Sequence, residues 1–245
     1  MLKNNVKLTL IPMIFCVLFF SVAGPAFATP AGQDVTLPNG LVIDRWMLQS
    51  DGQTVANCLG QTFSQYGNKT MQEMVNFIYV DPYAASASDA QNRFFEAVDA
   101  ANPPFDTSVW HTGGYTSYIE DTLYQQQPAS PYGAFADKSF YESNIHHFRT
   151  WGPYLYQGAW YTIVATSTES YIWYEFTHVW VSFNSARDTL LSGLLTSPID
   201  PGFVQLASVN LQNQIPTSNP TLTTGDFDGV TVVVQSPAAI NMDPD

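Results

Sequence analysis

Basic residues are scarce in this sequence. Its 245 residues include 8 lysines and arginines against 21 aspartates and glutamates, which gives a formal net charge of −13 at pH 7. A surface this acidic repels the phosphates of nucleic acids and the headgroups of anionic lipids. The composition therefore predicts no nucleic-acid partner and no charge-driven membrane binding. The composition does not identify a ligand, so a small-molecule or envelope ligand remains unknown.

Cysteine is also rare. The two cysteines are Cys16 and Cys58, and Cys16 lies in an N-terminal segment that we expect to be removed. A chain that keeps Cys58 alone cannot form an internal disulfide, so its stability must come from a buried core. We expect Cys58 to be buried, because unpaired cysteine is among the residues most often found in protein interiors.

The sequence has one long apolar run, at its N-terminus. Lys3 and Lys7 precede the apolar residues 8–22, and Ala26 and Ala28 provide the two small side chains of a signal-peptidase site. Prolines and a glycine interrupt the run, which favours a cleaved signal over a membrane anchor. We therefore predict a signal peptide cleaved near Ala28, a secreted or periplasmic protein, and no transmembrane segment in the mature chain.

Apolar periodicity and turn residues in the rest of the chain predict a mixed α/β fold of the α+β kind. We expect a single domain in which a few helices cover a mostly antiparallel sheet. Capping boxes predict helix starts at Ser86 and Ser185, and the first helix should run to about residue 101. A hairpin is predicted around Asn39-Gly40, and a helical turn followed by a strand at residues 70–80. Further strands are predicted at 145–151, 159–168, 171–183, 203–211 and 230–234.

The predicted organisation has four parts. They are the signal peptide at 1–28, an N-terminal segment with the hairpin at 29–74, the main domain at 75–235 and a loose tail at 236–245. We expect Gly152-Pro153 to end the first long strand and Glu169-Ser170 to form the turn between the next two. Residues 105–140 are rich in Tyr, Gly, Ser and Pro and are predicted to form loops with short pieces of structure.

Strand alternation sorts three of the four histidines. Side chains two residues apart on a strand share a face. On the first long strand, His147, Arg149 and Trp151 are therefore predicted to lie opposite His146 and Phe148. The two adjacent histidines must point away from each other.

The strand at 171–183 carries the second half of this pattern. We take its valines and Phe183 as the core face, which places His178 and Trp180 on the other face. If Phe148 joins the same core, one face of the sheet collects two imidazoles, one guanidinium and two indoles. Its members are His147, Arg149, Trp151, His178 and Trp180.

Such a cluster is compatible with several chemistries. Arg149 could bind a phosphate or carboxylate, two or three imidazoles could hold a metal ion, and His147 or His178 could transfer protons. The alternative is structural: a helix covers the face, and the imidazoles pair with backbone groups beneath it. The candidate catalytic residues are His147, Arg149 and His178, and the candidate binding residues are His146, Trp151 and Trp180; cofactor and metal are left unknown.

Complete catalytic signatures are absent from the sequence. It contains no G-x-S-x-G, P-loop, G-x-G-x-x-G, H-E-x-x-H or C-x-x-C motif. Asp226 and Asp228 flank a glycine turn but offer too few ligands for an EF-hand loop. No pair among the acidic residues is singled out for glycosidase chemistry.

A series of motifs has the order found in a known family. They are Pro128-Ala129-Ser130-Pro131-Tyr132, then His146-His147-Phe148-Arg149-Thr150-Trp151, then Thr177-His178 followed by Ala186-Arg187-Asp188. These resemble Pro-x-Ser-Pro-Leu-Tyr, His-His-x-Arg-Leu-Trp, and Thr-His followed by Glu-Arg-Asp in the LssY-like C-terminal domain, a bacterial family. The resemblance covers roughly 75–234. The strand after Gly158 resembles the family's Val-Trp-Val-Gly segment, but Tyr161-Thr162-Ile163-Val164 fills that region and the glycine is missing. Val179 stands where the family has a second histidine after Thr-His.

The resemblance implies a single bacterial domain in which the two histidine strands matter. It supplies no reaction, because the activity of the family is not established. We therefore expect an envelope or secreted domain that binds an unknown ligand without converting it. The alternative is a hydrolase, acting on a phosphoester or similar bond, that uses His147 or His178 with Arg149.

Overall fold

A large β-sheet forms the middle layer of the structure, with helices on one face and a smaller sheet on the other. The computed structural model describes residues 34–49, 62–63, 69–70, 73–106, 111, 113–129, 133–175, 177–198, 201–213 and 227–240. The predicted signal peptide, Cys58 and residues 241–245 lie outside these ranges. Within them, neither helix has the length and apolar composition needed to cross a membrane.

Strands dominate the described part of the chain. They are β1 (Asp34–Thr36), β2 (Val42–Asp44), β3 (Leu48–Gln49), β4 (Thr62–Phe63), β5 (Lys69–Thr70), β6 (Phe77–Asp81), β7 (Tyr115–Ile119), β8 (Thr122–Gln125), β9 (Phe135–Ala136), β10 (Ile145–Tyr156), β11 (Ala159–Ile172), β12 (Thr177–Ser182), β13 (Val204–Asn210) and β14 (Val230–Gln235). The helices among the described residues are α1 (Ala87–Asp99) and α2 (Asn184–Leu195).

The large sheet has seven strands in the order β13-β14-β6-β11-β10-β9, and β12 pairs with the end of β11 that β6 leaves uncovered. Its neighbouring strands are antiparallel except β14 and β6, which are parallel. The five-stranded sheet, called the small sheet below, has the order β1-β2-β7-β3, with β8 also paired to β7. The fold is therefore of the α+β kind, as predicted in outline, and is dominated by strands.

Strand β6 shows how the large sheet separates two cores. Phe77 and Tyr79 belong to the core beneath the helices, whereas Ile78 and Val80 belong to the core beneath the small sheet. All four side chains are buried. A central strand covered on both faces is rich in apolar residues. Because both faces of the sheet are covered here, polar side chains on the neighbouring strands are buried as well.

The predicted start of α1 is confirmed. The Ser86 hydroxyl accepts a hydrogen bond from the backbone N–H of Asp89 at 3.1 Å, and the Asp89 carboxylate accepts one from the N–H of Ala85 at 2.7 Å. The first of these bonds satisfies a donor that the first turn of a helix leaves unpaired, and the second fixes the residue before the cap. The helix buries Phe94, Ala97 and Val98 against the large sheet.

The predicted hairpin at Asn39-Gly40 is also confirmed, since β1 and β2 pair in antiparallel register on either side of it. Gly40 has a φ of +95°, a conformation that glycine adopts without steric cost. The helical turn predicted within residues 70–80 is wrong for the described residues 73–76. Met74 instead forms an antiparallel bridge with Trp46, which ties the small sheet to the start of β6.

Gly152-Pro153 does not end β10, contrary to the sequence prediction. The strand continues to Tyr156, and its register against β11 shifts between Trp151 and Tyr154. Gly152 has a φ of +112°, and a Cβ at this position would lie 2.7 Å from the carbonyl oxygen of Tyr161. A bulge of this kind bends a strand without breaking its pairing.

The turn between β11 and β12 lies further along the chain than predicted. It falls between Ile172 and Thr177, so Glu169 is part of β11 and faces the interior. The valines of β12 are not core residues as predicted, because Val181 is 37% exposed. β12 lies at the end of the sheet that the helices do not cover.

Two further predictions near the C-terminus are wrong. Helix α2 starts at Asn184, one residue before the predicted cap, so Ser185 lies inside the helix and does not cap it. The backbone N–H of Ser185 donates to the Ser182 hydroxyl. The tail predicted to be loose is instead packed against the protein up to residue 240. Ile240 is buried in the helix-side core, and the Arg93 guanidinium donates to the carbonyl of Pro237 at 2.9 Å.

Candidate functional site: a buried histidine cluster

Three adjacent strands bring two histidines to one carboxylate. In the register of the sheet, His147 on β10 lies opposite Ser167 on β11, and Glu169 lies opposite Trp180 on β12. Paired residues in an antiparallel sheet share a face. His178 follows the same alternation, so it points to the same side as Glu169 and His147.

Glu169 bridges the two histidines. Its Oε1 lies 3.2 Å from Nε2 of His147, and its Oε2 lies 2.9 Å from Nδ1 of His178. Nε2 of His178 donates to the backbone carbonyl of Phe140 at 2.7 Å. Because a carbonyl and a carboxylate both accept, these contacts require protons on both nitrogens of His178, which is its charged form.

The pKa values fit this arrangement. Burial favours the neutral form of Glu169, but the neighbouring His147 and the hydrogen bonds from both histidines outweigh it and hold the pKa well below the usual range. Burial would lower the pKa of His178, but the hydrogen bonds to Glu169 and Phe140 raise it above its usual value. The carboxylate is therefore ionised, and His178 is its charged partner.

His111 is the third histidine of the site. Its ring centroid lies 4.7 Å from that of His147 and 5.6 Å from that of His178. Burial and the charges of His147 and Arg149 lower its pKa to about 2, so the ring is neutral at any working pH. Neither of its nitrogens has a hydrogen-bond partner among the described residues.

We call these four residues the histidine cluster: His111, His147, Glu169 and His178. A further nitrogen in it, Nδ1 of His147, is buried without a partner among the described residues. Most buried polar atoms in proteins are paired. Three unpaired nitrogens in one place therefore mark the cluster as unusual for a purely structural interior.

A second polar group lies beside the histidine cluster. Nη1 of Arg149 lies 3.4 Å from each carboxylate oxygen of Glu73, and its guanidinium stacks 4.9 Å above the ring of Tyr115. The indole N–H of Trp180 donates to the same carboxylate at 3.3 Å. Arg149 is thus already held by an acidic and an aromatic side chain.

Two of the sequence-predicted binding residues do not join the cluster. His146 points to the opposite face, where its Nδ1 lies 2.7 Å from a carboxylate oxygen of Asp137. Trp151 is fully buried in the core beneath the small sheet, and its N–H donates to the carbonyl of Tyr115. The structure thus brings together His147 and His178, with Arg149 and Trp180 alongside.

Sequence reasoning missed His111, Glu169 and Glu73. Glu169 had a signal, since strand alternation puts it on the face of His147 once β11 is extended past residue 168. His111 lies in a loop, where no periodicity indicates a direction. Glu73 precedes β6 and reaches Arg149 across 76 positions of the sequence.

Ser167 lies beside the histidine cluster, but Ser167, His147 and Glu169 do not form a nucleophilic triad. In such a triad one histidine nitrogen faces the serine and the other faces the carboxylate. Here Ser167 Oγ and Glu169 Oε1 both approach Nε2 of His147, at 2.9 and 3.2 Å. Ser167 is also fully buried, so its hydroxyl is not presented to a substrate.

The face that holds the cluster is covered, but not by a helix. The loop carrying Phe140 packs against His178, and the small sheet supplies Tyr115 above Arg149. The His147 side chain has no exposed surface, and that of His178 is 10% exposed. Any ligand of the cluster must therefore be very small.

The lowered pKa of His111 predicts sensitivity to acid. Between pH 6.5 and about 2 the unfolded chain binds a proton at His111 that the folded protein does not, so acidification favours unfolding. We expect the free energy of unfolding to fall by up to about 1.4 kcal/mol per pH unit below pH 6. Chemical denaturation between pH 7 and 5, with EDTA present so that no ion competes with protons, measures it.

His111→Phe serves as the comparison, because an apolar ring of similar shape has no proton to bind. The variant should show a flatter dependence over the same range. If wild type and variant lose stability equally on acidification, His111 is not the group responsible. Glu169 adds acid sensitivity only below its usual pKa of 4.5, so it does not interfere in this window.

Comparison with family models, with curated proteins and with solved structures found no match for this chain.

Proposed function

We propose that the protein is an exported envelope or secreted domain of the LssY-like type that binds a small ligand at the histidine cluster without converting it. The observation that carries the proposal is the set of three buried imidazole nitrogens that have no partner among the described residues, beside an ionised carboxylate. Each unpaired buried polar atom costs about 1–3 kcal/mol. A ligand that supplied the missing contacts would remove that cost.

The export part of the proposal is supported by the signal-peptide pattern at residues 1–28, and the family part by the order of the histidine motifs. Binding without turnover is supported by the enclosure of the cluster. A substrate with a scissile bond needs room on both sides of that bond, whereas the His147 side chain has no exposed surface.

The alternative, a phosphoester hydrolase, needs Arg149 to receive a phosphate. Its guanidinium is instead paired with Glu73 and stacked on Tyr115, and a carboxylate at that place repels an anion. A hydrolase would also need an accessible general base, and the side chain of His147 is fully enclosed.

Ligand-dependent stabilisation tests the proposal. The whole chain is expressed, the exported protein is purified, and its N-terminus is read by mass spectrometry. Thermal unfolding is then followed with Zn²⁺, Ni²⁺, inorganic phosphate and acetate in separate samples. We expect at least one of these to raise Tm by several degrees, and no hydrolysis of p-nitrophenyl phosphate above background.

Two variants locate the effect. His147→Ala should abolish the stabilisation, because the ring lies within the cluster. His146→Ala should retain it, because that ring lies on the opposite face and contacts Asp137. Hydrolysis that disappears in a folded His147→Ala protein would contradict the proposal and favour the hydrolase.

A further inference from the structure

We propose that His111, His147 and Glu169 are the ligands of a divalent transition-metal ion, with Zn²⁺ the natural choice. This deepens the proposed function and rests on it, because the metal ion would be the small ligand of the histidine cluster. One ligand atom from each of the three residues lies within 4.8 Å of the others.

The donor set indicates the class of metal. Two imidazoles and one carboxylate form one of the common three-residue sets that hold Zn²⁺ with a fourth position open. Imidazole nitrogen suits Zn²⁺, Ni²⁺ and Cu²⁺, whereas Ca²⁺ and Mg²⁺ take mostly oxygen ligands. A single carboxylate with two imidazoles therefore favours a transition metal over the alkaline earths.

The spacing of the ligands is close to what a tetrahedral ion requires. With bonds of about 2.05 Å, two ligand atoms on such an ion lie about 3.4 Å apart. Nε2 of His147 and Oε1 of Glu169 are 3.2 Å apart, so these two need little adjustment. The ligand atom of His111 lies within 4.8 Å of the other two, so the His111 ring would have to move inward by at most about 1.4 Å.

The nitrogens of His111 that have no partner among the described residues are the second observation that supports a metal site. Its ring is 3% exposed, and both nitrogens are buried without a partner among the described residues. A histidine placed only for packing would cost stability here, since both ends of its ring have lost their water. A metal ion would give one of these nitrogens the contact it lacks.

His178 acts as a positioning residue in this proposal. Both of its nitrogens are engaged, by Glu169 and by the carbonyl of Phe140, so it is not a ligand. It holds Oε2 of Glu169 and thereby turns Oε1 toward His147. Hydrogen bonds of this kind to a metal-binding carboxylate orient it and tune its affinity.

Titration of Zn²⁺ into the EDTA-treated, dialysed protein tests the site. We expect one ion per chain by calorimetry and a Tm increase of roughly 5–10 °C when free Zn²⁺ exceeds Kd about 100-fold. Co²⁺ used in place of Zn²⁺ should give the visible absorption of a tetrahedral complex.

Matched variants locate the ion. His111→Phe and Glu169→Gln should each weaken Zn²⁺ binding by at least about 100-fold, because each removes a ligand. His178→Gln should weaken it by about 10–100-fold, as expected for a residue that orients a ligand. His146→Phe, which alters the adjacent histidine on the other face, should leave Kd within about twofold.

His111→Phe also separates a metal ligand from a packing residue. Because no described residue pairs with the ring nitrogens of His111, the apolar ring should keep or raise the Tm of the metal-free protein while removing the increase that Zn²⁺ causes. If His111→Phe does not fold, His111→Asn tests the same loss of a ligand, with near-ultraviolet circular dichroism as the check of folding.

The outcomes distinguish this inference from the proposed function. Zn²⁺ binding that is absent, that survives His111→Phe, or that is lost in His146→Phe would overturn the metal site. If Zn²⁺ fails but phosphate, acetate or Ni²⁺ stabilises the protein through His147 and not through His111, the proposed function stands and the metal assignment falls. If none of these ligands stabilises the protein, both fall.

Discussion

Replacing Phe148 with alanine should lower the free energy of unfolding by about 3–5 kcal/mol, the usual cost of deleting a buried phenylalanine ring. The ring stacks on Phe135 with centroids 4.8 Å apart and meets Phe105 at 5.2 Å. Phe94 reaches it from α1 at 6.2 Å. Because both the helix and the sheet contact this ring, the movement of a single side chain cannot fill the cavity that the substitution leaves. Chemical denaturation at pH 7 should therefore show nearly the full loss of stability.

Tyr83→Ala is the control for aromatic truncation, because the Tyr83 side chain is 50% exposed. Its effect should stay within about 0.5 kcal/mol. If Phe148→Ala costs less than about 1 kcal/mol, the core between α1 and the large sheet is not packed around Phe148, and the orientation of β10 described above is wrong.

Replacing Glu169 with alanine should cost the metal-free protein about 3–5 kcal/mol at neutral pH. Removing one member of a buried ion pair leaves the other charge without compensation, and here the charge on His178 would be left. The variant should also lower the pKa of His178, because burial of that ring remains while its hydrogen bond to the carboxylate is lost. Denaturation measures the first effect and an NMR titration of the ring measures the second.

The pH dependence of this pair has a definite sign. Because the pKa of His178 is raised in the folded protein, its contribution to stability is complete below about pH 6.5 and is lost as the pH rises through the folded value. Glu169→Ala should remove that alkaline loss. Glu175→Ala, in the exposed turn after β11, is the control and should change neither the stability nor the pKa of His178. If both variants have the same effect, Glu169 is not paired with His178 as described.

The side-chain alternation of β10 could be predicted from the sequence, because a strand has only two faces. His147 and Arg149 were assigned to one face and His146 and Phe148 to the other, and the register against β11 agrees with both assignments. Local signals also sufficed for α1, where the Ser86 hydroxyl accepts from the N–H of Asp89 and the Asp89 carboxylate accepts from the N–H of Ala85. These features depend on a few neighbouring residues and not on the rest of the chain.

The composition of the histidine cluster could not be predicted in the same way. The sequence predicts that Glu169-Ser170 forms the turn between two paired strands, yet β11 continues to Ile172. A longer β11 pairs with β12 and buries more surface than an early turn would, and that advantage is not visible locally. His111 comes from a loop and meets His147 across 36 residues of the chain, a contact that only the complete fold determines.

The sequence predicts loops with short pieces of structure at residues 105–140, because tyrosine, glycine, serine and proline obscure the alternation of strands. The described residues of this range include three short strands, which are β7 and β8 of the small sheet and β9 of the large one. Edge strands and short strands tolerate such residues, since only part of their backbone must pair within the sheet. The cover over the site was therefore the part of the fold least accessible to sequence reasoning.

The parallel pairing of β14 with β6 has a consequence for how the chain folds. Val232 pairs with Phe77, so the middle of the large sheet is completed only when the last described strand meets β6, which lies far earlier in the chain. Contacts between such distant segments make folding slow, because the entropy of closing long loops is lost before the contacts form. In a chain exported as proposed, β14 is the last described strand to emerge, and the large sheet needs this strand before its middle is complete.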